Sequence, residues 1–154
     1  MAFRREVLVE IGGFHVALGA GTPAMAAEDT LAFTRTLLAQ HAVVYQPTAL
    51  VSHYHRETLA DLKRQLHGYS IGTAAYYAAL VSADPKILLA MLRLIPTAIK
   101  DNLRGTDSVR TATMRTCPTS LVTTQIIGML VGVPAYIRSV KKQRSITGKG
   151  PIAC

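Results

Sequence analysis

A chain of 154 residues has room for one core, or for one part of a larger protein. Hydrophobic residues make up 49% of it, charged ones 17%, and its mean hydropathy of +0.25 excludes a disordered chain. The net charge of +8 asks for an anionic partner, and with 6% aromatics, no Trp and no nucleic-acid signature an anionic membrane surface suits it better than nucleic acid.

The two cysteines, Cys117 and Cys154, make no disulfide framework, in keeping with a reducing compartment. Arg4, Arg5 and Glu6 precede only a short apolar run, so no secretory signal is expected at the start. Residues 1–14 read as a short helix stopped by Gly12-Gly13, with Phe14 turning back into the core. Gly19 and Gly21 bracket a loop that has neither the lysine nor the spacing of a phosphate-binding loop.

Glu28 and Asp29 open the next helix, Thr30 to His41, with Leu31, Thr34 and Leu38 on one face. Two roles are open to them. Carboxylates in a first turn stabilise the helix through its dipole, and a carboxylate placed there can also act as a general base. Val43 to Tyr45 and Ala49 to Tyr54 have strand character around Pro47. Alternation along the second puts His53 and His55 on one side, where two imidazoles can chelate a metal. Arg56 just beyond is a candidate phosphate contact or a solvated surface residue.

A long helix follows from Thr58, with Leu59, Leu62, Leu66, Tyr69, Thr73, Tyr76 and Leu80 as its expected core stripe. Gly68 and Gly72 permit another helix to come close. After Asp84-Pro85, Lys86, Arg93 and Lys100 recur every seventh residue on an otherwise apolar helix. That pattern fits a membrane interface or a protein groove, and Pro96 should kink or end the helix. Residues 101–115 read as a linker. Residues 116–137 carry no charge and can span or lie in a membrane, with Arg138, Lys141, Lys142 and Arg144 holding the cytoplasmic end. The tail from Ser145 is expected to be disordered.

Several short pieces in one order resemble the C-terminal half of inverting glycosyltransferases of family 2. They are Phe3-Arg4-Arg5, Ile11-Gly12-Gly13-Phe14, Gly19-Ala20-Gly21 and Glu28-Asp29-Thr30-Leu31 with Arg35. Then come Tyr45-Gln46-Pro47-Thr48-Ala49, His53-Tyr54-His55-Arg56, and Arg64-Gln65 before Gly68-Tyr69. The resemblance covers roughly residues 1–80. It implies an α/β fold, the C-terminal part of a GT-A domain with a short mixed sheet, followed by membrane-associated helices. On that reading 1–57 belong to the acceptor side of the catalytic domain, 58–115 form amphipathic helices, and 116–154 form a hydrophobic helix with a basic tail.

The same resemblance implies the chemistry. Asp29 is the base that deprotonates the acceptor hydroxyl, Glu28 orients the acceptor, and His53 joins a Mg²⁺ or Mn²⁺ site. Gly12, Gly13 and Phe14 shape the acceptor side, and Arg56 approaches the diphosphate. The partners implied are a nucleotide-sugar donor and a glycan or lipid-linked acceptor, at the cytoplasmic face of a membrane. Two departures stand out. His15 occupies a position where the family carries an acid, and no Asp-x-Asp motif exists, the aspartates standing at 29, 61, 84, 101 and 107. The 154 residues are therefore expected to be a fragment, inactive alone. Two other classes stay open: a non-catalytic membrane-surface or partner-binding protein, and a metal hydrolase built on His53, His55 and Glu28.

Overall fold

The computed structural model describes residues 1–52, 58–104 and 119–146. Its elements are five helices: α1 (Arg5–Glu10), α2 (Glu28–Leu38), α3 (Leu59–Ala83), α4 (Lys86–Arg104) and α5 (Thr119–Ile146).

The α/β expectation is overturned, because the described residues contain helices and no strand. Val43–Tyr45 and Ala49–Ser52 are irregular, and Tyr45 and Leu50 stand 87% and 89% exposed. The β-branched run has the local propensity for a strand, but a strand exists only against a partner ladder. What the backbone makes there instead is a turn, with Ala49 N–H donating to Gln46 C=O at 3.1 Å.

Helix ends follow the sequence closely. Past α1, Gly12 N–H bonds Val9 C=O (3.1 Å) and Gly13 N–H bonds Leu8 C=O (2.8 Å), with Gly12 at φ 78°. This is the paired C-terminal cap for which a left-handed glycine is suited. Thr58 caps α3, its Oγ1 accepting from Asp61 N–H at 3.1 Å while donating to Asp61 Oδ2 at 2.6 Å. Asp84 performs the same office for α4, accepting from Lys86 N–H at 2.9 Å. α4 runs through Pro96 to Arg104, so 101–104 are helical and not linker. α5 likewise carries Pro134 and continues through the basic cluster to Ile146, past the expected start of the tail. The remainder of the expected linker, 105–115, and the tail from 147 lie outside the described residues.

The core follows the expectation for α3 only at its C-terminal end, where Leu80 is buried and Tyr76 packs on the core. Leu59, Leu62, Tyr69 and Thr73 from the predicted stripe face outward, while Gly68, Ser70, Ile71, Gly72, Ala74, Ala75 and Ala79 are buried. The small face wins because α5 lies directly on it. A side chain at Gly128 would come within 2.7 Å of Ser70 Cβ, and one at Gly132 within 2.6 Å of Ile71 C=O. The contacts rise together, from His67 with Thr124 to Ala79 and Leu80 beside Tyr136, so α3 and α5 run parallel. Small residues four apart on both helices allow this approach, a packing mode common between helices in lipid. Gly68 and Gly72 meet no helix. They receive the loop before α2, with Gly72 tight against Ala26.

One strained position is testable. Ala27, the N-cap of α2, sits at φ 80° with no side-chain cap. A left-handed alanine costs ~1–2 kcal/mol and glycine avoids most of that. Ala27→Gly is expected to raise stability by about 1 kcal/mol, read as a higher denaturation midpoint with an unchanged slope.

Candidate functional site

The loop from Ile11 to Ala27 is the centre of the polar architecture. Its 19–26 turn is closed by Gly19 N–H to Ala26 C=O (3.3 Å) and by Thr22, whose Oγ1 donates to Gly19 C=O at 2.8 Å. Gly19, at φ +97°, is covered by the Glu28 carboxylate. A Cβ there would stand 2.8 Å from Glu28 Cδ. Glu28 therefore packs on the Gly19-Ala20-Gly21 turn as α2 begins.

Asp29 follows at the helix start, half-buried, with Oδ1 accepting from Thr30 N–H at 2.7 Å and from Thr30 Oγ1 at 3.3 Å. These bonds satisfy an orphan donor of the first turn, which is the capping role. The carboxylate is still accessible to a solute.

The Gly12-Gly13-Phe14 piece sits elsewhere along α2. Arg35 Nη1 donates to Ile11 C=O at 3.4 Å, six residues and ~9 Å of helix beyond Asp29. Phe14 is 39% exposed, so it does not return to the core. It meets Phe3 edge-on at 5.6 Å, and Phe3 stacks on Phe33 at 5.3 Å. The structure thus sets Glu28 on the Gly19 turn, with Asp29 next to it at the helix start, and groups Gly12, Gly13 and Phe14 with Phe3 and Arg35.

His53, His55 and Arg56 lie outside the described residues. Among the described residues no three His, Cys, Asp or Glu side chains converge in a way that could hold a metal ion.

Sequence reading missed the clasp between this loop and α5. Ser139 is buried and donates from Oγ to Ala17 C=O at 2.6 Å, and Gln143 Nε2 donates to Val16 C=O at 2.9 Å. His15 Nδ1 accepts from Ala17 N–H at 3.3 Å, which leaves the proton on Nε2, 3.5 Å from Tyr136 Oη. No local signal announces these pairs, which are separated by 121 to 127 residues.

Burial, and then the nearby Arg35 charge, hold the His15 pKa below its ordinary 6.5. The unfolded chain therefore binds a proton before the folded one does. His15 stabilises the fold fully above the ordinary value and loses that contribution as pH falls from 6.5 through the lower folded value. Thermal melts between neutral and mildly acidic pH should show this slope, and His15→Gln should flatten it.

No family model, no curated protein and no solved structure matches the chain. α5 is long and apolar enough to cross a membrane, at ~42 Å against a hydrocarbon core of ~30 Å. From Leu121 to Ile137 its outward arc carries Val122, Ile126, Ile127, Met129, Leu130, Val131, Val133 and Ile137, all exposed.

Proposed function

We propose that these residues form the acceptor-side part of an inverting, membrane-docked glycosyltransferase, with Asp29 as the base that deprotonates a sugar or lipid-linked hydroxyl. The observation that carries the reading is the start of α2. There the half-exposed Asp29 carboxylate follows Glu28, whose own carboxylate covers the Gly19 turn. Its other support is the ordered set of short sequence pieces around that carboxylate.

Transfer from a nucleotide sugar needs a diphosphate-binding unit, and an Asp-x-Asp segment is absent from the 154 residues. In this reading another polypeptide segment supplies it, and a divalent metal held partly by His53 belongs with that unit. The attacking oxygen forms the new bond to the anomeric carbon as the bond to the nucleoside diphosphate breaks. The acceptor's proton passes to Asp29.

The cytoplasmic leaflet is the proposed location. α4 presents Leu88, Leu89, Leu92 and Leu94 outward, with Lys86 and Arg93 as a narrow cationic stripe between them, a pattern an interfacial helix can carry. Arg138, Lys141, Lys142 and Arg144 follow the apolar arc of α5.

The test is sugar transfer by the protein that carries both the nucleotide-binding unit and these residues, supplied with labelled nucleotide sugars and a lipid extract. Label entering the lipid or glycan fraction, and lost in Asp29→Asn, supports the reading. A protein that binds nucleotide sugars but transfers equally well without Asp29 overturns it. A non-catalytic membrane-surface protein is the second reading, favoured by the apolar outward arc of α5. It predicts vesicle binding and no transfer at all.

A further inference from the structure

Between the first turns of α3 and the N-terminal third of α5 lies a shallow cleft of about 320 Å³, lined by Lys63, Arg64, His67, Thr124 and Ile127. Residues 63, 64 and 67 share one side of α3 because successive positions turn by ~100°. Its depth depends on Gly128. A side chain there would meet His67 C=O at 2.9 Å and push the helices apart.

The cleft has two chemically distinct walls. On α3, Lys63 and Arg64 bring cationic heads. Arg64 is held at the lip by an ion pair with Asp61, whose carboxylate is in turn bonded by Thr58. His67 is fixed to the opposite wall, its Nδ1–H donating to Thr124 C=O at 3.3 Å. On α5, Ile127 is 54% exposed, and Val131, one turn further, continues the apolar arc away from the cationic end. A free anion would use only the first wall. An amphiphile would use both.

We infer that this cleft binds the phosphate of an anionic membrane lipid, with its acyl chain lying along Ile127 and Val131. The phosphate oxygens accept hydrogen bonds from Lys63 and Arg64, which are suited respectively as a point charge and as a planar fork. With α5 lying in the plane of the cytoplasmic leaflet the cleft and the cluster at 138–144 meet the same surface, and basic pockets between helices there bind lipid headgroups on this principle. The inference rests on the membrane reading of α5 but not on sugar transfer.

Flotation of the full chain with phosphatidylcholine vesicles, with and without phosphatidic acid, separates the possibilities. Phosphatidic acid is expected to raise the affinity about tenfold or more, since charge-assisted hydrogen bonds from Lys63 and Arg64 converge on one phosphate. Lys63→Gln with Arg64→Gln should abolish that gain while leaving binding to pure phosphatidylcholine unchanged. Arg4→Gln with Arg5→Gln, an equal change of charge at exposed positions of α1 and its N-cap, should retain most of it. If both double variants lose the gain equally, the effect is general charge and the cleft assignment falls. Inorganic phosphate in excess over the lipid should not compete, and Ile127→Ser should weaken binding to the phosphatidic acid vesicles. Competition by inorganic phosphate together with an inert Ile127→Ser would make the cleft a free-phosphate site and overturn the lipid. A wild-type chain that floats with neither vesicle overturns the membrane reading itself. One that floats with both, without preference, overturns the cleft alone.

Discussion

Gly132→Val is expected to separate α3 from α5 and to cost about 3 kcal/mol or more, the upper range for overpacking a filled interface. The obstacles are fixed: Ile71 C=O at 2.6 Å and the Cα of Ala74 at 3.3 Å from where the new Cβ would stand. Backbone cannot swing aside as a flexible side-chain end can, so one helix must translate. Movement of α5 also pulls Ser139 and Gln143 from the loop, which couples the damage to the polar site. Against a typical domain stability of ~5–15 kcal/mol this is severe. Denaturant titration in lipid or detergent should show the loss, with Leu130→Val, on the outward arc, as the control that changes little. A Gly132→Val protein with the wild-type midpoint would falsify the parallel α3–α5 pairing.

The second large effect concerns Asp29 and separates its two roles. Asparagine accepts a hydrogen bond from Thr30 N–H as aspartate does, so the first turn of α2 stays capped. It cannot take a proton. In the protein that also carries the nucleotide-binding unit, Asp29→Asn is expected to lower turnover by ~10²–10⁴-fold with donor affinity nearly unchanged. Glu28→Gln should have a smaller effect, because its carboxylate supports the Gly19 turn by contact and glutamine has nearly the same shape. Asp29→Asn turnover above about a tenth of wild type would leave Asp29 as a helix cap only.

Much of the local structure was legible in the sequence. Gly12-Gly13 after an apolar run, Thr58 three residues before Asp61, and Asp84-Pro85 each name a helix end by its hydrogen bonds, and each end is found within a residue or two. The burial of α3 departs from the expected stripe except at Leu80, because close approach of α5 selects the small residues of α3 for the contact. Gly128 and Gly132 carry the signal that would have shown it. The strand runs expected at 43–45 and 49–54 are irregular as far as the described residue 52 for another reason: a pairing partner is a property of the whole fold that a short window does not contain. The site divides the same way. The sequence places Glu28 and Asp29 at the start of α2, whereas the packing of Glu28 on the Gly19 turn and the His15, Ser139 and Gln143 contacts carry no local signal.

Those last contacts bear on how the chain is made. Synthesis proceeds from the N-terminus at ~5–20 residues per second, and early segments ordinarily fold as they emerge. Here Val16 and Ala17 find their partners only at Gln143 and Ser139. Closing so long a span carries a large entropic cost before any contact forms, so it comes late. The 15–17 loop therefore leaves the ribosome well before its partners on α5 exist. A nascent chain halted before residue 139 should expose the 15–18 backbone to protease, and one released with α5 complete should protect it. Completion of α5 is then the event that finishes the N-terminal loop.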